Sequence, residues 1–184
     1  MKICLVYHGE FPPAERIEKI AKTLTAAGHR IYLLCNNYGK YSHSEEVIGD
    51  VYTIRIRPLI RSRKLAKIVK FPVFLSPLWL GELYSAVRRH GIEAIQVIDL
   101  PIAGAGWAIG RLLGLPVVMD MWENYPEALK GWASISVTTR IFKNPAVARQ
   151  VELWLMPRLD HTFVVVEEQK ERLIRDGVAP ERVS

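Results

Sequence analysis

The side chains of this 184-residue chain best suited to chemistry are carboxylates and amides placed directly after short apolar runs. Ala94–Ile98 is followed by Asp99. The run 116–121 carries Asp120 near its end and leads into Trp122, Glu123, Asn124 and Tyr125. The opening run KICLVY, 2–7, leads into His8, Gly9, Glu10, Phe11, Pro12 and Pro13, and the run 161–166 into Glu167 and Glu168. A carboxylate accepts two hydrogen bonds side by side, so it can hold paired hydroxyls of a sugar, and it can act as a general base toward an acceptor hydroxyl. Asp99, Asp120 and Glu123 are the candidate catalytic groups; His8, Glu10, Arg16, Trp122, Asn124 and Tyr125 are the candidates for substrate binding. Plainer readings stand beside these. Asp120 and Glu123 could cap the turn after their strand, His8 could be a partly buried hydrogen-bonded histidine, and Asp99 could cap a helix beginning at Pro101.

Other chemistries lack their signatures. The first strand–helix turn offers Gly9 alone and no GxGxxG, and the chain holds no GxxxxGK[ST], GxSxG or HExxH. Those absences remove the commonest dehydrogenase, P-loop and hydrolase readings. The five histidines are scattered without metal-ligand spacing, so no metal is expected.

The elements that must position these residues are legible. After the strand at 2–7 comes a helix over about 14–27, with Ile17, Ile20, Ala21 and Leu24 on one face and Glu15, Arg16, Glu18, Lys19 and Lys22 opposite. Gly28 stops it, and RIYLLCN, 30–36, is the second strand. Val51–Ile56 reads as a third strand ended by Pro58. Helices follow over 60–71 and 78–89, then the strand at 94–98, a helix over 103–113 rich in glycine and alanine, and the strand at 116–121. Asn144 and Pro145 mark a helix start as N-cap and first residue; that helix runs to about Met156 with Val147, Val151 and Leu155 inward. A strand at 161–166 and a helix over 167–176 complete the pattern. The alternation predicts an α/β fold, a Rossmann-like doubly wound and mostly parallel sheet with helices on both faces. Ligands then belong outside the carboxyl ends of the strands, where the carboxylates stand.

Hydrophobic content of 49% and a length of 184 residues suit one globular domain. Two cysteines, Cys4 and Cys35, make no disulfide framework, so a cytoplasmic setting is the default. The N-terminus is too short and regular for a signal peptide, and no apolar run reaches the roughly 18–20 residues of a membrane span. Net charge is +6, and the segment 55–70 holds seven basic residues without an acid. Arg61, Arg63, Lys64, Lys67 and Lys70 are the candidate basic patch for an anionic membrane surface, with Phe74, Leu75 and Trp79 of the following FPVFLSPLWL as candidates for insertion into it. The alternative is that the apolar stretch packs on the sheet. No nucleic-acid module is present and no aromatics interleave the basic run, so nucleic acid is not an expected partner.

Three stretches resemble the N-terminal domain of GT-B fold glycosyltransferases of family 4. RIEKIAKTLTAAGHRIYLLC, 16–35, is similar to the family's opening helix and strand. VIDLPIAGAGWAIGRLLGLPVVMDMWENYPEAL, 97–129, resembles its H-D-x-P loop, small-residue helix and G-x-P-v-V-y-D-x-H-E strand. LDHTFVVVEEQKERLIRDGVAPERVS, 159–184, resembles the strand and helix before the interdomain linker. Ile98 and Trp122 stand where the family carries histidines, and Pro13 and Ala14 where many members carry a glycine pair.

The resemblance implies that residues 1–184 are the acceptor-binding half of a two-domain enzyme whose C-terminal domain holds the nucleotide sugar. It implies transfer of a sugar to a hydroxyl acceptor with retention, no tightly bound cofactor, and the nucleotide-sugar donor as co-substrate. A lipid-linked acceptor would make peripheral docking on the inner face of a membrane useful. This fragment alone is expected to be inactive. A sugar-nucleotide epimerase of the same architecture and a non-catalytic sugar-binding scaffold are the alternatives.

Overall fold

The computed structural model describes residues 1–37, 39–56, 73–132 and 144–184. Strands β1 (Lys2–Tyr7), β2 (Arg30–Asn36), β3 (Glu45–Ile48), β4 (Val51–Ile56), β5 (Ala94–Ile98), β6 (Val117–Met121) and β7 (His161–Val164) form one seven-stranded sheet in the order β3-β4-β2-β1-β5-β6-β7. Every pair is parallel except β3 with β4. The helices are α1 (Glu15–Ala26), α2 (Pro77–His90), α3 (Leu100–Leu113), α4 (Tyr125–Trp132), α5 (Pro145–Leu155) and α6 (Glu167–Arg175). The predicted α/β class and mostly parallel sheet hold.

The alternation of strand side chains feeds two cores. On one face, Ile17 and Ala21 of α1 cover Leu5, Ile31, Leu33, Cys35, Val51 and Ile98. On the other, Leu83 of α2, Ile102 and Ala105 of α3, and Leu155 of α5 cover Val6, Leu34, Ile95, Val97 and Met119. Helix α3 approaches the sheet closely because Gly106 lacks a side chain: a Cβ there would lie 2.3 Å from Val97 Cγ1. Cys4 and Cys35 are fully buried, one in each core, and burial pushes both thiols up to about 12.

Several sequence readings need correction. Edge strand β3 was not expected: Glu45 and Glu46 carry no strand signal, and charge at an edge is what keeps it unpaired. It lets the chain return so that β4 can run parallel to β2. Helix α4 was also unexpected, being only 8 residues long. Helix α3 begins at Leu100 rather than Ala103. The Asn144 cap is as expected, its side chain accepting from the Ala146 N–H at 2.9 Å. The inner face of α5 carries Ala148, Glu152 and Leu155, with Val151 partly buried against the same core as expected, while Val147, expected inward, is 52% exposed. Glu152 turns inward because it is neutralised there: Arg149 meets it at 2.6 Å and Arg172 of α6 at 2.7 Å, with Asp176 bound to Arg149 at 2.6 Å.

Of the proposed membrane segment, the helix over 60–71 and Arg61, Arg63, Lys64, Lys67 and Lys70 lie outside the described residues. Trp79 is not available for insertion, because it is buried in the α2 core; Phe74 packs against the same core and Leu75 is exposed. Among the described residues no helix is long and apolar enough to cross a membrane. At the far edge, Val183 makes a parallel bridge to Thr162, and Ser184 N–H donates to the Thr162 carbonyl at 3.1 Å.

Candidate functional site

The carboxyl ends of β1, β5 and β6 lie side by side in the middle of the sheet, so the residues following them share one edge. Asp99 sits at the centre. Strand β5 turns into α3 at this residue with φ 63° and ψ 163°, a conformation that glycine adopts and other residues rarely do. Its side chain makes no cap to α3, contrary to the capping reading. Oδ1 instead accepts the Trp122 backbone N–H at 2.7 Å, and the Asp99 N–H donates to the Asp120 carbonyl at 3.0 Å. The two strand ends are thus stapled together through Asp99.

Electrostatics follow from that placement. Burial, with Asp99 only 8% exposed, pushes its carboxyl up to about 6. Backbone N–H groups of Trp122 and Glu123 oppose the rise, and the charges of Glu123 and Asp120 add to it. Asp120 is also raised, mainly by burial, against the pull of the Trp122 side chain and the Arg16 charge. Tyr125 is raised by burial and by the charges of Asp99 and Glu123. The sheet therefore brings Asp99, Asp120, Trp122, Glu123 and Tyr125 into one group.

Around them lies a wall from β1 and α1. Arg16 places its guanidinium 5.1 Å from the Trp122 ring centre. Tyr7 lies 5.8 Å from the same ring and 5.7 Å from His8. Tyr125, at the start of α4, meets Phe74 edge-on at 6.5 Å. Asn124 contributes through its backbone, its carbonyl accepting the Ala128 N–H at 2.9 Å and so opening α4. Glu123 is exposed at the rim, and His8 and Glu10 are half-buried in the loop after β1.

That loop is held by residues the sequence reading passed over. Asn36 donates its side-chain amide to the His8 carbonyl and its backbone N–H to the Gly9 carbonyl at 2.9 Å. Arg55, 2% exposed on β4, donates to the Phe11 carbonyl at 3.0 Å, pairs with Glu46 at 2.5 Å and stacks 4.0 Å from the Tyr41 ring centre. The Tyr41 hydroxyl donates to the Pro12 carbonyl. In the sequence Arg55 reads as one of a basic run. Its position two residues after Thr53, on the inward face of a strand, is the signal that sets it apart. Among the described residues no cluster of three or more His, Cys, Asp or Glu side chains is arranged for a metal.

The model of the glycosyl transferase 4-like domain matches residues 13–184. The chain belongs to this family. A comparison with curated protein sequences finds no match. Among solved structures, the chain is similar to sucrose-phosphate synthase from Thermosynechococcus elongatus, with 14% identity and TM-score 0.67 over 97% of this chain and 45% of that one. It is also similar to HepE of Anabaena in complex with UDP and glucose (15% identity, TM-score 0.53, 100% and 43% coverage). A third likeness is UDP-N-acetylglucosamine 2-epimerase from Rickettsia bellii (11% identity, TM-score 0.58, 100% and 43% coverage). At these identities the likeness is one of fold, that of half a GT-B protein. The glycosyl transferase 4-like chain spans less than half the length of these three.

Proposed function

We propose that this domain is the acceptor side of a glycosyltransferase that moves a sugar from a nucleotide-sugar donor to a hydroxyl acceptor with retention. A second domain, of the kind the longer relatives have room for, would hold the nucleotide. The observation that carries the reading is the group of Asp99, Asp120 and Glu123 at the carboxyl ends of adjacent parallel strands, in a chain of this family. Asp99 and Asp120 are half to fully buried and would accept hydrogen bonds from acceptor hydroxyls; a carboxylate near neutrality in its titration can also take the acceptor proton. Trp122 and Tyr125 would form apolar walls, and Arg16, His8 and Glu10 the rim toward α1. No tightly bound metal or cofactor is invoked, and the donor is a co-substrate. Docking on an anionic membrane surface through the basic run, and a lipid-linked acceptor, belong to the same proposal.

The test is turnover of a nucleotide-sugar panel by the full-length protein. Nucleotide release that depends on an acceptor hydroxyl supports transfer. Acceptor-independent conversion of the donor sugar would replace this reading with epimerisation, and binding without turnover would leave a sugar-binding scaffold.

A further inference from the structure

Tyr7 is the last residue of β1, and the β1–β5 register pairs Val6 with Val97. That register sets Tyr7 level with Ile98, one residue short of Asp99 on the neighbouring strand. Its ring is fixed on three sides: Trp122 at 5.8 Å, His8 at 5.7 Å, and the Gly9 backbone. A Cβ on Gly9 would fall 2.5 Å from both the Tyr7 Cζ and its hydroxyl oxygen. The ring therefore rests where only glycine permits it. Tyr41 and Tyr52 spend their hydroxyls on protein acceptors, the Pro12 carbonyl and Glu45 Oε2. The Tyr7 hydroxyl takes no hydrogen bond among the described residues, and the residue is only half-buried. Burial raises the Tyr7 phenol above its ordinary value, and the Asp99 charge adds to the rise.

A held ring with an unspent hydroxyl, at the end of the strand neighbouring the one that leads to a carboxylate, is suited to polyols. A sugar hydroxyl both donates and accepts, whereas a carboxylate only accepts. Asp99 supplies the acceptor and a phenol supplies the donor. We propose that Tyr7 is a substrate-contacting residue whose hydroxyl, paired with Asp99, binds adjacent hydroxyls of the sugar acceptor. This deepens the transferase reading and rests on it.

The experiment uses the full-length protein and the variants Tyr7→Phe and Gly9→Ala. Tyr7→Phe keeps the ring and its packing and removes only the oxygen; Gly9→Ala keeps the oxygen and displaces the ring. With UDP-glucose and a panel of hexose acceptors, Tyr7→Phe lowers kcat/KM for the acceptor about tenfold, the effect of one hydrogen bond, and leaves donor KM and Tm unchanged. Gly9→Ala shows the same acceptor-specific loss. Unchanged acceptor kinetics in Tyr7→Phe overturn the proposal. So does a fall in Tm that accounts for the lost activity, since the hydroxyl would then be structural. If the wild-type protein turns over no nucleotide sugar, the transferase reading fails separately. Saturation-transfer NMR with glucose, galactose, mannose and N-acetylglucosamine then decides for Tyr7: transfer seen in wild type and weakened in Tyr7→Phe supports sugar contact, while equal or absent transfer in both refutes it.

Discussion

Replacing Asp99 by asparagine separates what this position does for function from what it costs the fold. In the folded protein its carboxyl is pushed up to about 6 from an ordinary 3.8. That displacement corresponds to roughly 3 kcal/mol between the protonation states. The sign follows from proton linkage. Between about pH 4 and 6 the folded state binds more protons at Asp99 than the unfolded chain does, so stability falls as pH rises through that window and the penalty is complete above it. An asparagine side chain here would keep an oxygen to accept the Trp122 N–H and would carry no charge to desolvate. Asp99→Asn is therefore neutral near pH 4 and stabilising by about 1–3 kcal/mol near pH 8, the lower figure allowing for the loss of a charge-assisted bond. For a chain of this size that is a Tm gain of about 2–10 °C. Urea unfolding of wild type and variant at several pH values measures it. A stability difference that does not change between pH 4 and 8 would refute the desolvation argument. Activity of the full-length protein should move the other way, falling at least a hundredfold as expected for a group acting on the reacting hydroxyl.

Other outcomes follow from single contacts. Asp120→Ala or Glu123→Ala in the full-length protein should lower kcat/KM by on the order of 2–4 kcal/mol of transition-state stabilisation with little change in Tm; parallel losses of both would favour a turn-capping role. Glu152→Ala removes the buried carboxylate that Arg149 and Arg172 share, leaving them Asp176 alone, and should cost about 1–3 kcal/mol of stability, seen as a lower urea midpoint with unchanged slope. Gly106→Ala sets a helix-propensity gain of about 1 kcal/mol against a Cβ placed 2.3 Å from Val97, and overpacking of about 1–3 kcal/mol should win, giving a net loss in a thermal melt.

Much of the fold was readable because burial leaves a period. The stripe Ile17, Ala21 and Leu24, the continuous apolar runs of β1, β2 and β5, and the Asn144–Pro145 start all reflect local rules and all appear in place. What the sequence hid depends on partners distant along the chain. Glu152 reads as a surface residue until Arg172, 20 positions on, is brought against it. Strand β3 has no apolar pattern because an edge strand need not bury one. Within the site, the carboxylates were legible from their place after apolar runs. Tyr7 was not, since a tyrosine ending a strand is ordinary; only its neighbours and its unspent hydroxyl distinguish it.

The two positions where family members carry histidines bear on the chemistry of Asp99. Ile98 is wholly buried beneath α1, and Trp122 packs beside Tyr7 and Arg16. Neither side chain titrates, as a histidine's would. Removing water from around a carboxyl raises its pKa, and here burial is the largest cause of the rise to about 6. That value lies close to the ordinary range of an imidazole, about 6.5. An edge without those histidines therefore still holds a group able to exchange a proton near neutral pH, and that group is Asp99 itself. Its strained backbone and its bond to the Trp122 N–H keep it there: the turn is sharp enough to leave the carboxyl facing the β6 end, and the N–H offsets part of the desolvation that a bare buried carboxylate would suffer.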